Sequence, residues 1–122
     1  MIWFAKMNIS KITNAPIGVE FGGKKYLISE LTDEDFGIFE RKVQDIYLDV
    51  ALRNINNVPE NLKKDFLNHA YNVAANITST SPEAEKWGKT VDGITMLLWL
   101  GMRHNHPDLT YEECRKMTTN RA

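Results

Sequence analysis

The chain has 122 residues and a mass of 14.0 kDa, enough for one ordinary domain. Its 15 basic and 16 acidic side chains leave a net charge of −1, without the basic excess of a general nucleic-acid or membrane-surface binder. A single cysteine, Cys114, excludes a disulfide framework or a Cys-rich zinc site and points to a reducing, cytosolic setting. No targeting segment is expected, because Lys6 and the polar residues from Asn8 interrupt the apolar start. The longest apolar run, around Ile94–Met102, is about half of the ~20 residues that cross a bilayer.

In chain order, residues 1–16 read as an N-terminal arm, 17–117 as one helical domain opened by a β-hairpin, and 118–122 as a C-terminal tail. The arm carries Ile2, Trp3, Phe4 and Met7, apolar side chains that either fold back on their own domain or dock on another subunit. Alternation at Ile17, Val19 and Phe21, then Gly22-Gly23, then Tyr26 and Ile28 (or Leu27) predicts a hairpin with a tight turn. Two strands alone are marginal, so the hairpin needs a helix or another sheet to pack on.

Thr32, followed by Asp33, Glu34 and Asp35, marks a capped helix start with acids over the N-terminal amides. Phe36, Phe39, Val43, Ile46 and Val50 continue it as an apolar stripe ending near Asn54–Asn57. A second helix is predicted after Pro59, with Leu62, Phe66, Ala70, Val73 and Ile77 on one side and Asn68, Asn72 and Asn76 on a polar stripe. Ser81-Pro82-Glu83 restarts a helix with proline at its first position. The segment around 94–102 is apolar almost all round, so it should run through the core, with Trp87, Val91, Ile94, Leu98 and Gly101 on one face. His106-Pro107 stops it, and Thr110 with Glu113 forms a capping box for a last helix. The fold class is therefore α+β, mostly α: a small hairpin and a compact bundle of four to five helices.

The residues offer little chemistry. There is no glycine-rich phosphate loop, nucleophile elbow or His-Glu-x-x-His motif. His104-x-His106 would share a metal only on extended backbone, and helix-end histidines favoured by the dipole are the plainer reading. Asp92 reads as an N-terminal acid beside a Thr90 cap, and His69 as a core or boundary residue. Cys114 is read as a buried filler although Arg115 and Lys116 adjoin it. No catalytic, cofactor or metal residue is assigned, and the chain is read as a non-enzyme.

The order of pieces carries more. A Gly-Gly-Lys turn leads through Leu31-Thr32 to an acidic helix with Phe36, Phe39 and Glu40; then come Trp87, Leu97-Leu98-Trp99-Leu100, Arg103, His106-Pro107 and Leu109-Thr110-Tyr-Glu-Glu113. This pattern resembles the small tail assembly chaperones of long-tailed bacteriophages, over roughly residues 17–117. The resemblance implies a helical protein that coats the tape-measure protein, keeps it soluble and recruits tail-tube subunits in the host cytoplasm. That role calls for apolar surfaces able to take an amphipathic segment. Ile2, Trp3, Phe4, Met7, Phe36, Phe39, Trp99 and Met102 are the candidate contacts, with the core an alternative place for each. A homo-oligomer is compatible with this; nucleic acid, membrane and cofactor are not expected. The rival readings are a structural virion protein (tail, baseplate or head-tail joining component) held by its arm among neighbouring subunits, and an inhibitor of a host defence protein.

Overall fold

Residues 16–119 are described by a computed structural model of the chain, and their fold is α+β, mostly α. Strands β1 (Ile17–Phe21) and β2 (Lys24–Ile28) form an antiparallel hairpin. Five α-helices follow: α1 (Asp33–Arg53), α2 (Lys63–Ala75), α3 (Pro82–Gly88), α4 (Val91–Met102) and α5 (Tyr111–Thr119). Single 3-10 turns at Ile55–Asn57 and Glu60–Leu62 link α1 to α2. The described residues divide into two compact units, one made of 16–35 and 88–119, the other of Phe36–Trp87.

In the first unit the hairpin pairs Ile17 with Ile28, Val19 with Tyr26 and Phe21 with Lys24. Gly22 (φ 56°) and Gly23 (φ 79°) both take left-handed backbone, as the two central positions of a type I′ turn require. Side chains alternate across a strand, so Val19, Phe21, Tyr26 and Ile28 share one face. That face packs on Leu98 and Met102 of α4 and on Cys114 of α5, with Trp99, Leu109 and Met117 at its margin. The helices thus supply the second layer that two strands need.

Strand and helix meet most closely at Gly101. The Ser29 N–H donates to the Gly101 carbonyl at 2.9 Å. A β-carbon at 101 would stand 2.8 Å from Ile28 Cγ2 and 3.2 Å from the Ser29 carbonyl, so only glycine permits this approach.

Helix α4 begins at a Thr90 cap whose hydroxyl accepts from the Gly93 N–H at 3.0 Å. Its buried residues include Thr95, Met96, Leu98, Leu100, Gly101 and Met102. Val91 and Ile94, expected on the buried face, are 46% and 41% exposed. Thr95 takes the interior instead, because its hydroxyl donates to the Val91 carbonyl (2.7 Å) and lies 2.6 Å from the Thr118 hydroxyl of α5. Asp92 forms an ion pair with Arg115, and the Tyr111 hydroxyl donates to the Asp92 carbonyl at 3.3 Å. The expected capping box opens α5: Thr110 N–H donates to Glu113 Oε1 (3.1 Å) and Glu113 N–H to Thr110 Oγ1 (3.2 Å).

In the second unit, Phe39, Val43, Ala70, Ala74, Ile77 and Ala84 are buried. The Phe39 and Trp87 rings stand 5.5 Å apart at a tilt, a favourable aromatic geometry. Glu40 and Gln44, one turn apart on α1, hold the α2–α3 connection: Ser79 N–H donates to Glu40 Oε1 (2.9 Å) and Gln44 Nε2 to the Ile77 carbonyl (3.0 Å). The apolar stripe expected along α1 loses burial at its ends, with Phe36 39% and Val50 47% exposed. Leu62 is also exposed, because Pro59 initiates a 3-10 turn (Leu62 N–H to Pro59 carbonyl, 2.9 Å) and the α2 register starts only at Lys63.

Candidate partner-binding site

Thr32 caps α1 as its position suggests, with the Asp35 N–H donating to Thr32 Oγ1 at 3.2 Å. Asp35 returns the bond, Oδ2 accepting the Thr32 N–H at 2.9 Å, so the pair is a capping box with Asp in the usual Glu place. Asp35 does more than cap. It is fully buried, and Oδ1 accepts from Arg103 Nη2 (2.7 Å) and Nε (3.2 Å) at the end of α4. Oδ2 also meets His104 Nε2 at 2.7 Å. Burial by itself would raise the Asp35 pKa; the Thr32 amide, His104 and Arg103 outweigh it and hold the carboxyl below its ordinary range. Arg103 completes its surroundings with a 3.5 Å contact to Glu34 and a guanidinium 5.6 Å from the Trp99 ring centre.

Beside this cluster Glu34, Trp99, Arg103, His104, Pro107 and Leu109 line a shallow groove of about 410 Å³. The Trp99 indole N–H donates to the Leu109 carbonyl at 3.0 Å, which fixes the ring against the chain after α4. Trp99, Pro107 and Leu109 thus offer apolar walls, with Glu34 and Arg103 as charged neighbours. Arg103 and His104 are both engaged by Asp35, so what the groove offers is a surface for an apolar side chain with polar flanks.

His106 turns elsewhere. Its Nε2 accepts the Leu27 N–H at 2.8 Å, capping the outer edge of β2. That bond requires a neutral imidazole with its proton on Nδ1. The Tyr26 ring stands edge-on to it at 5.2 Å. The two histidines of His104-x-His106 therefore serve different partners, and among the described residues no three His, Cys, Asp or Glu side chains are grouped to hold a metal.

Of the contact residues suggested by sequence, Trp99 lines the groove and Phe36 is 39% exposed on α1. Phe39 and Met102 are interior residues: Phe39 is 4% exposed against Trp87, and Met102 is fully buried with Ile28, Leu98 and Cys114. Neither presents a contact surface, because each closes the apolar core of its own unit. Ile2, Trp3, Phe4 and Met7 lie outside the described residues. Cys114 is fully buried, and burial, followed by the Glu113 charge, pushes its thiol up to about 11. His69 is exposed on α2 and lines a second groove near Glu83.

Sequence reasoning passed over the Asp35–Arg103–His104 cluster. The signals were an acid three residues after a capping threonine and two basic-type residues closing the most apolar helix. No protein-family model matches this sequence, and no curated protein or solved structure is significantly similar to it.

Proposed function

We propose that this protein is a non-enzymatic phage tail assembly chaperone, which binds the tape-measure protein in the host cytoplasm and helps recruit tail-tube subunits. The observation that carries the reading is the groove walled by Trp99, Pro107 and Leu109. Apart from Glu34, it is built by the stretch Leu97–Glu113 that closes the pattern resembling those chaperones. Apolar walls beside Glu34 and Arg103 suit one turn of an amphipathic helix, the kind of segment a long helical partner presents repeatedly.

The test is mass spectrometry of purified particles combined with deletion of the gene. The chain is expected to be absent from mature particles, tails are expected to fail without it, and it should co-purify with tape-measure fragments. A fixed copy number in the particle would replace this reading with a structural virion component. Normal assembly without the gene, with growth lost only in a host carrying a particular defence, would replace it with an inhibitor.

A further inference from the structure

We infer that the outer edge of β1 is the seam of a two-fold dimer, where it pairs antiparallel with β1 of a second copy of this chain. Phe21 and Lys24 flank the two-residue turn as a bonded pair, so bonded and non-bonded pairs alternate from there. Val19–Tyr26 and Ile17–Ile28 spend their backbone groups inside the hairpin, while those of Gly18 and Glu20 point away from β2. The same alternation turns the Leu27 and Ser29 amides outward, where His106 Nε2 and the Gly101 carbonyl receive them. On the other side, among the described residues, the sheet ends at β1 and nothing bonds the Gly18 or Glu20 backbone. One edge is closed and the other is open.

Two features select a second copy as the occupant. The first is Gly18, whose φ is not left-handed and whose missing β-carbon would meet nothing within 4 Å among the described residues. Glycine weakens a strand and often marks the close approach of another backbone, which the single chain does not supply here. The second is the self-complementarity of Ile17-Gly-Val-Glu-Phe21 about its centre. With Val19 of each copy on the two-fold axis, Gly18 of one and Glu20 of the other exchange both backbone hydrogen bonds. Ile17 then lies beside Phe21 of the second copy, on the face where both are only half-buried. Each Glu20 stands opposite a glycine and beside its own Lys25, so no like charges directly oppose. The neighbouring two-fold registers fail. An axis at Gly18 sets Pro16, which has no N–H, against Glu20, and an axis at Glu20 opposes two carboxylates. The dimer uses none of the residues lining the Trp99 groove, and its test does not involve the function proposed for them.

A seam this short buries less than the ~1,200 Å² of stable complexes, so the dimer should be weak and should form on the way to about 1 mM. The experiment is sedimentation equilibrium of the full-length protein up to that concentration, with amide NMR over the same range. The mass is expected to rise from 14.0 kDa toward twice that value. The Gly18 and Glu20 amides are expected to shift and gain exchange protection with concentration, while the Lys25 amide on the opposite edge does not. Gly18→Pro removes an N–H that the hairpin does not use, so the strand should persist and association should fall at least about tenfold. Glu20→Pro repeats the test at the other outward amide, with unmoved Tyr26 and Ile28 signals showing an intact hairpin. A monomer at every concentration, association undiminished in both folded proline variants, or shifts centred elsewhere would each overturn the seam. Protection of Gly18 and Glu20 that is the same at every concentration would also overturn it, by placing the chain's own residues on that edge.

Discussion

Asp35 and Glu83 both stand in the first turn of a helix and both place carboxylate oxygen out of water, yet they are treated in opposite ways. Asp35 receives donors from Thr32, Arg103 and His104, so each oxygen is used twice. Glu83 keeps an oxygen with none. The comparison teaches that a buried acid is costly or cohesive according to the donors around it, and burial alone does not say which. The Asp35 donors are drawn from the cap of α1 and the end of α4, so the acid ties together the two sequence ends of one unit.

The sharpest way to break this comparison is to remove each acid. Asp35→Ala should destabilise by about 3 kcal/mol, near the low end for an orphaned buried charge because Arg103 keeps some solvent. Its side chain is 25% exposed. Denaturant unfolding measures the change, and a cost below about 1 kcal/mol would show the cluster to be ornamental. Gly101→Ala comes next, at about 2 kcal/mol, since the added methyl meets Ile28 and the Ser29 backbone rather than a yielding side-chain tip.

The acid side of the stability profile gives a third contrast. Asp35 is depressed in the fold, so its contribution is present above the unfolded carboxyl value of about 3.9 and is lost as pH falls below it toward the folded value. The stability gap between wild type and Asp35→Asn should therefore narrow below about pH 4. A gap that stays constant would remove the carboxylate from the account.

Cys114 supplies a smaller effect. With its thiol buried and pushed up to about 11, labelling at pH 8 should proceed only as fast as the protein opens. Rapid labelling in native buffer would reveal an open interior. Smallest of all, Glu83→Gln should change stability by no more than about 0.5 kcal/mol, because no partner of Oε2 is lost. A loss as large as that of Asp35→Ala would erase the distinction between the two acids.

The hairpin, the helix order and the caps at Thr32, Thr90 and Thr110 were legible because each rests on signals within a few residues: paired glycines, alternation, a hydroxyl before an apolar run. The faces of the helices were less so. Ile94 is more apolar than Thr95, and only the Val91 and Thr118 partners of the Thr95 hydroxyl explain why threonine is the one inside. The candidate contacts divided for a similar reason. Periodicity placed Phe36 and Phe39 on one stripe, while Phe39 is buried against Trp87 and Phe36 is 39% exposed. The meeting of Asp35 with Arg103 was not legible, since 68 residues separate them and the local signal at each end does not name its partner.

The bond from the Leu27 amide to His106 has a consequence for synthesis. The two residues lie 79 positions apart. At roughly 5–20 residues per second, about 4–16 s pass between their appearances on the ribosome. Throughout that interval the outer edge of β2 lacks its cap, and for most of it the Ser29 amide lacks Gly101. The unit from Phe36 to Trp87 is continuous in sequence and emerges whole in between. Assembly is thus ordered by translation: a contiguous unit ready early, and a hairpin whose helical layer follows it, exposing a strand edge to other nascent chains until α4 and α5 are made.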